Sequence, residues 1–327
     1  MRVRESARDR RKMLAGGRGT GRKASRRGAA EMRAERRPDL TEFNVPGTFP
    51  TWCPGCGDFG LWNALKRALV ELGRDPSQTV IVSGIGCSGK VPYWVRTYGF
   101  CGLHGRPIPV ATAVKLANHE LDVFAVSGDG DGYAEGTNHL VHAARRNIDI
   151  TYIVHNNQIY GLTVGQASPT SDQGFKTRSS PFGVCEPPLN PLALAIAAGA
   201  TFVARGFAAH LPELTRLIVE ATRHKGFALV DVLQPCVTLN HLNSYDWYGQ
   251  RVYYVEKERD YKPRNKVWAF GKALEWDHRS DGRIPCGVIY REKRPVFEEC
   301  YPQIAKVPLV KQPIDRVDVA RLLEEFR

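Results

Sequence analysis

The chain has 327 residues, 43% hydrophobic and 24% charged, with a formal net charge of +12 and eight cysteines. That length allows one large α/β domain or two small ones, and no stretch approaches the ~18 consecutive apolar residues that a membrane span needs. The charge suggests nucleic acid at first, but residues 1–40 carry fourteen Lys/Arg against five Asp/Glu, and the other 287 carry 32 against 29. The body is nearly neutral.

Residues 1–40 are Arg/Gly/Ala-rich and contain no aromatic residue. Such a segment buries too little apolar surface to offset its chain entropy, so a disordered basic tail is expected. It lacks the apolar core of a secretory signal, and a start at Met32 would remove most of it. Without aromatics among the arginines it offers no stacking platform for nucleic acid. Eight cysteines and no export signal predict a reducing compartment, the cytoplasm. There a CxxC is metal-bound or catalytic more often than structural.

The body opens with "TWCPGCGDFG" at 51–60. Helical periodicity follows over 61–72, then a β-branched run over 79–87 that ends in "GIGC". Residues 110–119 read as a helix, 121–131 as a buried strand ending in "GDGD", 134–147 as a helix and 148–158 as a third buried strand. The segment 160–183 has no hydrophobic period and reads as a long functional loop. A helix at 191–200, a strand at 201–206, a helix at 211–226 and a strand at 227–236 complete the pattern. Strands apolar on both faces, alternating with helices, predict an α/β fold: a parallel sheet with helices on both faces. The expected division is the tail 1–40, a cofactor-binding domain 41–245, and an irregular extension 246–327 that ends in an amphipathic helix at 315–326. The extension would pack on the same domain or on a partner.

Open parallel sheets bind ligands at the carboxyl ends of their strands. Those ends here are "GIGCSGK", "SGDGDG", "HNNQIYG" and "QPC". The first fits G-x-G-x-x-G, but no acidic residue follows about 20 positions on, as a dinucleotide site requires. It also fits G-x-x-x-x-G-K, yet Val91 stands where a P-loop needs its magnesium-binding hydroxyl. The second and third are more informative together. Gly128-Asp129-Gly130 and Asn156-Asn157 lie 25 residues apart on adjacent strand ends. Asp129, Asn157 and the Ile159 carbonyl offer three oxygens, and magnesium takes the rest of its six from phosphate and water. Gly128 and Gly130 would let a diphosphate approach the backbone, beside a helix start that favours negative charge.

GDG followed by NN at this distance resembles the motif for thiamine diphosphate and Mg2+. With "CPGCG", "GIGCSGK", "HGR", "TNHLVHAARRN", "NNQIYGLT" and "GQASPT" in this order, residues 45–300 resemble the β subunit of 2-oxoacid:ferredoxin oxidoreductases. Cys53 and Cys56 supply two ligands of a four-thiolate site. Cys87 and Cys236 follow buried strands and share the sheet edge with Asp129, which selects them over Cys101, Cys185, Cys286 and Cys300. The family's pattern for one [4Fe–4S] cluster falls on the same four positions, although spacing alone does not separate iron–sulfur from zinc.

The resemblance implies oxidative decarboxylation of a 2-oxoacid to its acyl-CoA, with electrons passed through the cluster to ferredoxin. Sequence details around Cys101 and Cys87 favour 2-oxoglutarate over pyruvate. Gly130, Asp131, Gly161 and Leu162 would line the diphosphate, and Ile85, Gly86, Cys87, Ser88, His104 and Arg106 would approach the cofactor. Lys90 is the candidate for the substrate carboxylate. A second subunit would complete the thiamine site. His139 and His142 share a helix face but are expected to be structural, and Glu135 stands where an apolar residue is expected. The alternatives are a zinc-stapled, non-catalytic interaction subunit and a non-redox thiamine-dependent decarboxylase, which would have no use for four convergent cysteines.

Overall fold

The computed structural model describes residues 38–276, 282–314 and 318–326. The expected basic tail lies almost wholly outside them, as does the start of the helix expected over 315–326. The described residues from Asp39 onward form one compact unit.

Its centre is an eight-stranded sheet. The strands are β1 (Thr79–Ser83), β2 (Tyr98–Cys101), β3 (Asp122–Gly128), β4 (Thr151–Asn156), β5 (Phe202–Phe207), β6 (Ala228–Leu233), β7 (Val252–Tyr254) and β8 (Ile284–Arg291). They lie in the order β2-β1-β3-β4-β6-β5-β8-β7. All neighbours are parallel except β5 and β8. Every residue of β1, β4, β5 and β6 is buried, as expected of strands covered on both faces.

The two faces carry separate cores. Helix α1 (Asp58–Leu72) buries Leu61, Ala64, Leu65, Ala68 and Leu69, spaced i, i+3, i+4, i+7 and i+8. That stripe is the amphipathic helix signature. It packs with α5 (Leu211–Arg223) against one face. Helix α1 stops at Gly73, whose φ of 66° is the left-handed cap that glycine accepts without penalty. The other face is covered by α2 (Pro107–Ala117), α3 (Thr137–Arg146), α4 (Pro191–Ala198) and α6 (Lys266–Glu275).

Two differences from the sequence expectation matter. The C-terminal extension is not simply irregular: it adds β7 and β8 to the sheet, β8 running antiparallel against β5. Pro285 and Gly287 sit inside β8, and breakers of this kind erase a strand's sequence signal. At its far end the extension forms a short helix, Val319–Glu324. Strand β1 ends at Ser83, so Gly84–Cys87 is a loop at its carboxyl end, and the edge strand β2 is exposed throughout.

Candidate active site

The carboxyl ends of β1, β3, β4 and β6 stand side by side at the centre of the sheet. A small cleft there is lined by Ile85, Gly86, Cys87 and Ser88 after β1, Gly128 to Asp131 after β3, and His155, Asn157 and Ile159 to Thr163 at β4, with His104 on its wall. Roomier clefts lie away from it around Arg223, Arg264 and Arg291, and another beside Ser168 and Pro187 adjoins it at Tyr160.

Asp129 is buried, and its Oδ2 accepts hydrogen bonds from Ser168 Oγ and Thr170 Oγ1, each at 2.6 Å. Burial pushes its carboxyl up to about 6, and the two hydroxyls oppose that rise. A bound cation would reverse it. The two asparagines divide their work. Asn156 donates to Asp231 inside the fold, with its Oδ1 3.0 Å from the Thr170 hydroxyl whose proton Asp129 takes. Asn157 faces the cleft, its Nδ2 donating to Gln234 Oε1 at 2.9 Å and its Oδ1 accepting from the Ile159 N–H at 3.2 Å. Between them and Ile159, Gln158 holds a left-handed φ of 58°, unusual for a residue with a side chain. Its side chain is pinned by the Thr170 carbonyl, Asp172 and Tyr248.

Gly130 starts a five-residue π-turn, Asp131–Glu135, a local geometry common at functional sites. A Cβ on Gly130 would sit 2.3 Å from the ring of Tyr160. That ring lies across the turn, stacked on His104 with centroids 6.2 Å apart, and its one hydroxyl proton is shared between the Gly130 carbonyl and the Glu135 carboxylate. Glu135, unexpected in an apolar pattern, is thus a polar rim residue that also lies 3.2 Å from His104 Nδ1. Asp131 lines the cleft, but its Oδ1 is engaged by the N–H groups of Ile85 and Gly105 at 3.1 and 2.7 Å. It ties three loops together.

The CxxC forms a tight turn. Pro54 and Gly55 are its central residues, Gly55 has a φ of 81°, and the Cys56 N–H donates to the Cys53 carbonyl at 3.0 Å. Pro then Gly is what a type II turn demands. Trp52 Nε1 donates to the Cys87 carbonyl at 2.8 Å, and the Gly57 N–H donates to the Pro235 carbonyl, so the turn is laced to the loops after β1 and β6. The four sulfurs are close enough to act on one another. Burial pushes the Cys87 thiol up to about 11, with Asp58 next and smaller contributions from Cys236 and Cys53. Burial raises Cys56 as well, followed by Asp58 and, least, Cys236. A methyl group placed on Gly161 would touch the sulfurs of both Cys236 and Cys87, at 3.7 and 3.8 Å, so the cleft and these two cysteines share a wall. Cys286 is instead buried in a separate core, and Cys101, Cys185 and Cys300 are exposed. Among the described residues, no three His, Cys, Asp or Glu side chains close on a single-ion site.

Lys90 does not line the cleft but lies near enough to Cys87 to oppose the rise of its thiol. Arg106 is exposed and donates to His139 Nε2 at 3.2 Å; it is not on the cleft wall. Sequence patterns missed His155, Tyr160 and Gln234. Ring Nδ1 of His155 lies 2.6 Å from buried Asp58, while its Nε2 has no partner and the residue lines the cleft. Ser88 Oγ there is also buried and unpartnered. Asp131 Oδ2 is a third such atom on a residue of this cleft, and since buried polar atoms are nearly always hydrogen-bonded, the three orphans fit a polar ligand.

A thiamine pyrophosphate enzyme, C-terminal TPP-binding domain matches residues 84–232, and the C-terminal region of pyruvate ferredoxin oxidoreductase beta subunits matches 236–306. The cleft therefore belongs to a thiamine diphosphate-binding domain of an oxidoreductase. A 2-oxoacid:ferredoxin oxidoreductase subunit beta from Sulfolobus sp is 48% identical over 260 residues, 76% of this chain and 84% of that protein. The 2-oxoglutarate oxidoreductase subunit KorB of Mycobacterium tuberculosis is 48% identical over 189 residues, 58% of this chain and 51% of the relative. Among solved structures, 2-oxoglutarate:ferredoxin oxidoreductase from Magnetococcus marinus, with 2-oxoglutarate, coenzyme A and succinyl-CoA bound, superposes with a TM-score of 0.80. It is 34% identical, and the match covers 89% of this chain and 97% of that one. The chain belongs to the beta subunits of 2-oxoacid:ferredoxin oxidoreductases.

Proposed function

We propose that this subunit, together with an alpha subunit, converts a 2-oxoacid and coenzyme A into acyl-CoA and carbon dioxide, and that 2-oxoglutarate is the favoured substrate. Two electrons and one proton leave in the balanced reaction, the electrons passing singly to ferredoxin. The observation that carries this is the shared wall: Gly161 lies against the sulfurs of Cys87 and Cys236 and also lines the cleft of Asp129 and Asn157.

Thiamine diphosphate supplies an electron sink at the carbon that loses carbon dioxide. Asp129, Asn157 and the Ile159 carbonyl hold Mg2+ on the diphosphate, and Ser168 and Thr170 aim the Asp129 carboxylate. Ser88 and His155 offer their orphaned polar atoms to the cofactor. Gly128, Gly130, Gly161 and Leu162 wall the diphosphate side, with Asp131 holding the Ile85 and His104 loops in place. Cys53, Cys56, Cys87 and Cys236 ligate one [4Fe–4S] cluster. Lys90, beside Cys87, is the cation for the substrate carboxylate, and Arg106 bears on the site only indirectly, through its loop.

The enclosed volume of about 50 Å3 is far below the roughly 300–1,000 Å3 of sites that surround a small molecule. A partner subunit that covers the rest of thiamine diphosphate accounts for the difference. Residues 41–245 form the cofactor domain and 246–327 extend it. No described helix is long and apolar enough to cross a membrane, and the working compartment is the cytoplasm.

The test is anaerobic purification with the alpha subunit, metal analysis, and a viologen-linked assay with pyruvate and 2-oxoglutarate. About four irons per chain and CoA-dependent reduction, faster with 2-oxoglutarate, are expected. One zinc and no iron would refute the oxidoreductase chemistry.

A further inference from the structure

The glutamine that follows β6 touches both halves of the site. Gln234 is buried, and its main-chain N–H donates to the Asn156 carbonyl at 2.9 Å. Its side-chain Oε1 accepts from Asn157 Nδ2 at 2.9 Å. Its Nε2 donates to Cys56 Sγ at 3.3 Å and to the Pro235 carbonyl at 3.1 Å. A carboxamide has two N–H donors and one acceptor oxygen, and each is committed here. Turned over, it would set its NH2 against the NH2 of Asn157, and its oxygen against a sulfur and a carbonyl. The network therefore fixes its orientation.

We propose that Gln234 is a positioning residue that couples the two halves of the site. It holds the Asn157 oxygen toward the magnesium position and donates to the Cys56 sulfur, raising the reduction potential of the cluster. This rests on the assignment of Asn157 and Cys56 as ligands under Proposed function. On the magnesium side, Asn157 can present either an oxygen or an NH2 to the cleft, and only the oxygen ligates a cation. Gln234 Oε1 takes the NH2, which leaves Asn157 Oδ1 for the Ile159 N–H and the ion. On the cluster side, hydrogen bonds to the ligand sulfurs are one of the levers that set the potential. An N–H aimed at sulfur stabilises the more negative, reduced state. Cys56 also has Asp58 Oδ2 at 3.4 Å, whose negative charge would act the other way, so Gln234 supplies the opposing donor.

The test uses the anaerobically prepared complex with Gln234→Met and Gln234→Glu. Met keeps the length and removes both contacts; Glu keeps an acceptor for Asn157 and replaces the donor to sulfur with a carboxylate. Iron content, the EPR-monitored reduction midpoint, and Mg2+-dependent thiamine diphosphate affinity after cofactor removal are measured. With iron at the wild-type level, the Met variant should bind thiamine diphosphate about fivefold more weakly, the scale of one neutral hydrogen bond. Its cluster equilibrium should shift about tenfold toward the oxidised state, about 59 mV for one electron. The Glu variant should keep thiamine affinity within about twofold of wild type, with a midpoint at least as low as that of the Met variant. If Met prevents assembly, the Glu variant decides alone through its split between lowered potential and retained affinity. Wild-type potentials in iron-loaded variants, or equal losses of thiamine affinity in both, would overturn the proposal. Wild-type complex without iron would instead remove the ligand assignment beneath it.

Discussion

Gly130→Ala isolates one cause of one glycine. Its backbone is ordinary right-handed helix, φ −60° and ψ −48°, so alanine adds no conformational penalty there. The added Cβ would lie 2.3, 2.5 and 2.7 Å from three ring atoms of Tyr160, against about 3.5–4.0 Å for a comfortable carbon contact. The ring must move by more than about 1 Å, away from its stack with His104 and its hydrogen bonds to Gly130 and Glu135. Overpacking of this kind costs about 1–3 kcal/mol, and about 2–4 °C of Tm is lost per kcal/mol in domains near this size. Thermal denaturation of the cofactor-free complex should therefore show a fall of about 2–12 °C. In a Tyr160→Ala background the obstacle is gone, and the same substitution should cost less than about 0.5 kcal/mol, a coupling that a double-mutant cycle reads directly. Equal costs in both backgrounds would refute the steric explanation.

Asp129→Ala should abolish thiamine diphosphate binding while the visible absorbance of the cluster persists; wild-type affinity by fluorescence titration would reject the GDG–NN assignment. Because Asp129 titrates near 6 without metal, Mg2+-thiamine affinity should be level above about pH 7 and fall about tenfold per unit well below 6, as the proton competes for the carboxylate. Its folded value lies above the ~3.9 of an unfolded aspartate, so its contribution makes the metal-free protein gain stability as pH drops from about 7 to 4. Melting curves across that range check the sign. Replacing Cys53, Cys56, Cys87 or Cys236 by Ser should lower iron content, since an oxygen ligand suits iron–sulfur chemistry less well than thiolate. Ser at Cys101, Cys185, Cys286 or Cys300 should leave iron unchanged.

The strand-end motifs were legible because β1, β3, β4 and β6 are buried on both faces and read as apolar runs that stop at glycine, asparagine or cysteine. Adjacency of those ends followed from parallel topology, and it brought Asp129, Asn157 and the cysteines to one edge. Strand β8 was not legible, since its Pro285 and Gly287 mimic a loop and its antiparallel pairing with β5 depends on a distant partner. Tyr160 and Gln234 were not legible either. Their roles are set by contacts to residues 30 and 178 positions away, Gly130 and Cys56, and no local periodicity carries such pairs. Arg106, which its motif places near the cofactor, turns its guanidinium to His139 and lies off the cleft wall.

The order of the strands explains why the cleft shares a wall with Cys87 and Cys236. Asp129 and Asn157 come from β3 and β4, the two middle strands of a set of four, while Cys87 and Cys236 come from the flanking β1 and β6. Neighbouring strands run about 4.8 Å apart, so each flanking cysteine starts only one strand from Asp129 or Asn157. The loops then fold inward, as the approach of both sulfurs to Gly161 shows. The remaining pair, Cys53 and Cys56, comes from a turn outside the sheet and needs its own anchors. Trp52 fastens it to the loop after β1, and Gly57 and Gln234 fasten it to the loop after β6. Loosening either anchor would move two of the four sulfurs together, which makes the turn the weak point of the thiol set and the sheet its rigid half.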